Sequence, residues 1–99
     1  MKKPNYLIEF PSYDGDFYLP EGWEDNSWHN DACPHAEKRS KDGRIVANIW
    51  QEFVAFEKRD TESEERYLFT ISVNGDDAIF EYWTNDLEKI KELVKGVLI

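Results

Sequence analysis

His29, Asp31, Cys33 and His35 fall within the run His29-Asn30-Asp31-Ala32-Cys33-Pro34-His35. Two chemistries need such residues close together. Zinc takes four donors in a tetrahedron, drawn from Cys, His and carboxylates. His29, Cys33 and His35 would supply three. The spacing His-x3-Cys-x-His is not that of a zinc finger, and no second Cys/His pair lies elsewhere to complete the set. The other chemistry is nucleophilic. A reactive thiolate needs a base or positive charge beside it. His35 is two residues from Cys33, His29 could approach through a turn, and Asp31 could orient either ring. Pro34 restricts the backbone at that point, and no second segment offers an oxyanion hole. The plainer expectation is structural. Trp23, Trp28 and Cys33 pack inward, and Asp25, Ser27, Asn30 and Asp31 bond backbone groups that lack a sheet partner. A free cysteine usually behaves as a small buried hydrophobe.

Elsewhere there is no Gly-rich phosphate loop, no dinucleotide fingerprint and no Ser-His-Asp spacing, so no cofactor is expected. Charge carries more information. The chain has 12 basic and 21 acidic residues, net −9. The acids concentrate toward both ends of the chain, and the stretch from 36 to 60 is nearly balanced. Direct binding to nucleic acid wants a basic surface, so this balance argues against it. An acidic surface suits a basic protein groove, or it serves only to keep the chain soluble.

The elements that must position these groups are clearest in the C-terminal half. Tyr67 to Val73 and Ala78 to Trp83 alternate on either side of Asn74-Gly75, a pair suited to the positive φ angles of a two-residue hairpin turn. With Asn74 and Gly75 as the loop, Ile71 should face Ala78, Phe69 should face Phe80, and Tyr67 should face Tyr82. Those side chains share an apolar face. Leu68, Thr70, Ser72, Asp77, Ile79, Glu81 and Trp83 lie on the other, more polar one. Leu87, Ile90, Leu93, Val94, Val97 and Leu98 then recur at helical spacing, behind Asn85 as N-cap and Glu88 as its capping-box partner. This helix should cover the Tyr67/Phe69/Ile71/Phe80/Tyr82 face.

Upstream, Arg44 to Phe56 reads as a strand with apolar residues on both faces, either a central strand or one bulged near Gln51-Glu52, with a helix as the competing reading. Lys41-Asp42-Gly43 is a turn into it. Tyr6 to Phe10 is expected as a first strand and Phe17 to Leu19 as a short second one. Residues 20–43 show no periodicity and are expected as a long ordered loop pinned by Trp23 and Trp28, with a helical turn near Asp25 to Trp28. Glu57 to Arg66 is a charged connection.

Within that loop, Trp23-Glu24-Asp25-Asn26-Ser27-Trp28-His29-Asn30-Asp31-Ala32-Cys33-Pro34 resembles a stretch found in small uncharacterised proteins of bacteria and their phages. The resemblance implies a phage or mobile-element context. It implies no activity, and no residue role comes with it.

The sequence thus predicts a single α+β domain over residues 1–99: an antiparallel sheet of about four strands with the C-terminal helix on one face. The lone Cys33, and a start that lacks an apolar leader, suggest a cytoplasmic location. The expected function is a non-enzymatic, acidic protein-binding module. Its concrete form would be a phage or mobile-element inhibitor of a host nucleic-acid-binding protein, whose carboxylates occupy a basic groove that normally holds phosphates. The expected contacts are Asp14, Asp16, Glu62, Glu64, Glu65, Asp76 and Asp77, with neither direct nucleic-acid nor membrane binding. One alternative is a small Cys/His-centred hydrolase or zinc-binding protein built on His29, Asp31, Cys33 and His35. Another is a homodimer covering Val46, Trp50, Val54, Phe56 and Trp83.

Overall fold

Apolar alternation of period two in the second half of the chain produces the centre of the sheet. The computed structural model describes residues 3–59 and 63–97. It contains a short helix α1 (Asn5–Glu9), strands β1 (Glu24–Asp25), β2 (His35–Arg39), β3 (Ile45–Gln51), β4 (Tyr67–Val73) and β5 (Ala78–Thr84), and a closing helix α2 (Leu87–Lys95). The five strands form one antiparallel sheet in the order β1-β2-β3-β4-β5. The α+β class and the C-terminal helix are as the sequence predicts, with five strands where about four were expected. None of the described helices is long and apolar enough to cross a membrane.

The core lies between the sheet and α2. Ala36, Ala47, Ile49, Tyr67 and Phe69 project from β2, β3 and β4 toward Ile90 of the helix, and Trp23 closes the side. Burying the large ones, Ile49, Phe69 and Ile90, supplies about 1.5–3 kcal/mol each, so this layer holds the sheet to the helix. The helix begins at Asp86, whose carboxylate accepts the Glu88 N–H at 3.0 Å. Asn85, the expected cap, instead accepts the Arg66 N–H at 2.8 Å.

The hairpin turn is as read: Asn74 and Gly75 have φ of 58° and 75°. Its register is not. Ile71 faces Phe80, Phe69 faces Tyr82 and Tyr67 faces Thr84: Ser72 already pairs one residue further on, with Ala78, and an irregularity at Ile71/Ser72 adds a second residue of shift. A shift of two keeps Phe80 and Tyr82 on the helix side, whereas Ala78, expected opposite Ile71, pairs with Ser72 of the other face.

Four upstream expectations are corrected. Tyr6 to Phe10 is helical over Asn5–Glu9, not a strand. Pro4 starts the turn, its carbonyl accepts from Leu7 and Ile8, and Tyr6 stacks on Phe17 at 4.7 Å. Phe17 to Leu19 forms no strand. The backbone of Tyr18 pairs with one side chain instead: Gln51 Oε1 accepts its N–H at 2.8 Å and Gln51 Nε2 donates to its carbonyl at 2.7 Å. The 20–43 stretch is not one loop either. It contains β1 and β2, and Asp25 lies in β1 rather than in a helical turn. β2 was illegible because two of its three buried residues, His35 and Glu37, are polar. β3 is the central strand of the five, one of the two forms expected, but it ends at Gln51, short of Phe56.

Candidate functional site

The chemistry-bearing residues of the tryptophan-bracketed segment part company in the fold. His29 is on the surface beside α1, its Nδ1 2.8 Å from Glu9 Oε1. That hydrogen bond holds the Glu9 carboxyl below the usual range. His35 begins β2 and is buried, its ring stacked on Trp50 at 4.2 Å. Its Nδ1 has no hydrogen-bond partner among the described residues and stands 3.9 Å from Asp31 Oδ2. Burial pushes the imidazole pKa down, against the pull of Asp31, Glu37 and Asp25. Cys33 is 3% exposed and lines a small cavity. So Asp31 and His35 lie side by side, while His29 is spent on Glu9. Among the described residues no three His, Cys, Asp or Glu side chains gather as a metal set would. Trp28, expected inside, is half exposed and lies against the His29 ring. Ser27 and Asp25 do work on backbone: Ser27 Oγ accepts the His35 N–H, and Asp25 accepts those of Tyr6 and Ser27.

A different surface stands out. Opposite the helix, register lines up side chains in rows across the sheet. His35, Trp50, Leu68 and Trp83 form one row over β2 to β5, and Glu37, Asn48, Thr70 and Glu81 form the next. Trp50, Leu68 and Trp83, with Cys33 and Arg66, border a cavity of about 110 Å³. Sites for small molecules usually run to about 300–1,000 Å³, so this one has the size for a side chain rather than a cofactor.

The outermost strand of that face is β5. Its partner on one side is β4, and among the described residues no strand lies on its other side. Ile79 is 70% exposed, Phe80 40%, Tyr82 38% and Trp83 42%. Helix α2 seats Ile90 against Ala47, Ile49 and Phe69, and its Leu93 and the Val97 just past its end border one cleft with Ile71 and Phe80, so it lies over the inner face of β4 and β5 while leaving Phe80 and Tyr82 partly exposed at the rim. The expected cover is seen over Tyr67, Phe69 and Ile71, and it is partial at Phe80 and Tyr82. Alternation in the ladder shows which backbone groups face outward. Asn74 N donates to Arg44 O and Glu52 N to Arg66 O, so even-numbered residues of β4 bond to β3. Odd-numbered ones then bond to Phe80, Tyr82 and Thr84, and the N–H and C=O of Glu81 and Trp83 point away from the sheet.

The opposite edge is treated differently. β1 is two residues long, and Asn5 Nδ2 donates to the carbonyls of Asp25 and Ser27. A short edge tied down by its neighbours is a usual protection against strand pairing. β5 has seven residues, and among the described residues no strand lies along its outer side.

The acidic residues expected as contacts are placed differently. Asp14 is structural: it accepts from Val54 N and Ala55 N at 2.7 and 2.8 Å. Despite the desolvation of its site, those two bonds hold its carboxyl below the usual range. Asp16 is exposed, and its carbonyl receives Arg66 Nη2. Asp76 and Asp77 are exposed at the hairpin end of β5, while Glu64 and Glu65 border Trp83 at the other end. Glu62 lies outside the described residues. Glu81, missed in the sequence reading, sits at the centre of β5 and is exposed. Its signal was available: it is the one charged residue in Ala78–Thr84. Of the apolar set expected to seek cover, Trp50 and Trp83 share a row on the open face, while Val54 and Phe56 are exposed beyond the end of β3.

No family model, curated protein or solved structure matches the chain.

Proposed function

We propose that this protein is a non-enzymatic binding module for a basic polypeptide segment. The supporting observation is β5, a seven-residue strand with an open edge, exposed apolar side chains on both faces, and carboxylates at each end and in the middle. Exposed apolar groups on a short strand supply the contact energy, and the acidic groups select partners of opposite sign. Asp76 and Asp77, Glu81, and Glu64 and Glu65 lie along a strand of about 20 Å, at roughly 3.3 Å per residue. A nucleic-acid-binding protein offers such a basic segment, and occupying it would displace phosphates. The module then acts as an inhibitor that presents carboxylates where nucleic acid presents its backbone.

The test is a titration of the protein with two eight-residue peptides, one alternating lysine and valine, the other glutamate and valine. The lysine peptide should bind, and its affinity should fall by about tenfold or more between roughly 0.05 and 0.5 M salt, as screening shortens the reach of surface charge. Equal binding of both peptides, or binding of the lysine peptide indifferent to salt, would overturn the proposal.

A further inference from the structure

Resting on that reading, we infer that the basic segment joins the sheet as a sixth strand, antiparallel to β5, with a lysine or arginine opposite Glu81 and apolar residues opposite Phe80, Tyr82 and Trp83. Three observations carry this beyond a general attraction of charge.

The first is the backbone. The outward N–H and C=O groups of Glu81 and Trp83 are two residues apart, the spacing at which an added antiparallel strand exchanges pairs of hydrogen bonds. Strand addition of this kind draws affinity from main-chain bonds and specificity from alternate side chains.

The second is the two-sided exposure. A partner residue opposite Glu81 or Trp83 continues the rows of the open face, and one opposite Phe80 or Tyr82 continues the helix face. Directly opposed side chains have Cβ atoms about 4.5–5.5 Å apart. A basic residue would therefore reach the Glu81 carboxylate, and apolar residues would cover Phe80, Tyr82 and Trp83. Lysines at the two ends of the segment would lie near Glu64 and Glu65 and near Asp76 and Asp77.

The third is the case against a second copy of this chain as occupant. Each copy carries net −9. The antiparallel register that overlaps all of Ala78–Thr84 is centred on Glu81 and sets Glu81 against Glu81. Like charges directly opposed are destabilising, and other registers shorten the ladder. A basic partner turns the same position into an attraction.

The experiment uses the whole protein and the peptide Lys-Thr-Val-Val-Lys-Val-Thr-Lys, in which the third to sixth positions lie opposite Trp83, Tyr82, Glu81 and Phe80. Two N-methylated forms are compared. Methyl groups on the third and fifth residues remove N–H groups that bond to β5, whereas methyl groups on the fourth and sixth remove ones that point outward. The first form should bind about thirtyfold more weakly than the unmodified peptide, as loss of two hydrogen bonds implies, and the second within about threefold. Glu81→Lys should reverse the preference at the fifth position from lysine to glutamate. Equal weakening by both methylation patterns would overturn strand addition while leaving the basic-partner reading in place. Failure of the unmodified peptide to bind would overturn both. A dimer of the unliganded protein by light scattering, dissociated by Glu81→Pro, would assign the edge to a second copy and overturn the proposal.

Discussion

Arg66→Ala is expected to lower stability by about 3 kcal/mol, read as a shift of the urea midpoint with little change in slope. Arg66 stands just before β4 and its guanidinium reaches in several directions at once. Nε donates to Glu52 O at 3.1 Å, Nη1 to Tyr67 Oη at 2.9 Å, and Nη2 to Tyr13 Oη at 3.0 Å and Asp16 O at 3.2 Å. These bonds tie the N-terminal segment to the sheet. Tyr13 in turn packs on Phe53 at 5.3 Å, in the small aromatic cluster with Phe10. Burial raises the Tyr13 phenol to about 12, so it remains a neutral hydroxyl that both accepts from Arg66 and donates to Glu52 O. A bond to a charged donor is worth about 1.5–3 kcal/mol, and bonds sharing one side chain do not add. Gly15 supports the assignment, because a Cβ there would collide with the guanidinium. Arg66→Lys should recover only part of the loss, since an ammonium lacks the planar fork. A loss below about 1 kcal/mol for Arg66→Ala would show that the segment is held by packing alone.

Gln51→Leu should cost about 2–4 kcal/mol although it leaves the packing volume nearly unchanged. Gln51 is fully buried at the end of β3. Its amide serves the Tyr18 backbone as a neighbouring strand would, accepting from N–H and donating to C=O. Leucine would leave both backbone groups without their partner, at about 1–3 kcal/mol for each unsatisfied group. The loss is measured by urea unfolding. Protection of the Tyr18 amide from hydrogen exchange should fall in parallel. Wild-type stability in Gln51→Leu would mean that the segment from Phe17 to Leu19 finds other partners.

These two residues show where sequence reading stops. Nothing local marks Gln51 as a substitute strand, because its role is defined by Tyr18 far away in the chain. Where the pattern was local, it was legible. Asn74-Gly75 gave the turn, the alternation around it gave the faces, and the helical period of Leu87, Ile90, Leu93 and Val94 gave α2. The register failed because two single-residue slips, one between the turn and Ser72 and one at Ile71/Ser72, leave no mark in the alternation of residue types. β2 failed because His35 and Glu37 are buried polar residues. His35 is covered by Trp50, and Glu37 is held by Asn26 and by Arg39 at 2.7 Å. α1 failed because a single turn beginning at Pro4 gives too few apolar positions to fix a period. For the site, the acidic character and the hairpin were visible in the sequence. That β5 would be the sheet's outer strand was not, since it depends on the upstream strands joining on the far side, beyond β3.

The binding account stands on one feature, the outward-facing backbone of Glu81 and Trp83, and amide hydrogen exchange resolved by residue measures it directly. In the unliganded protein the Glu81 and Trp83 amides should exchange as open groups while Phe80 and Tyr82 are protected by β4. Adding the lysine-centred peptide should protect Glu81 and Trp83 as well. Protection of Glu81 and Trp83 before any peptide is added, or no gain on saturation with it, would contradict the account.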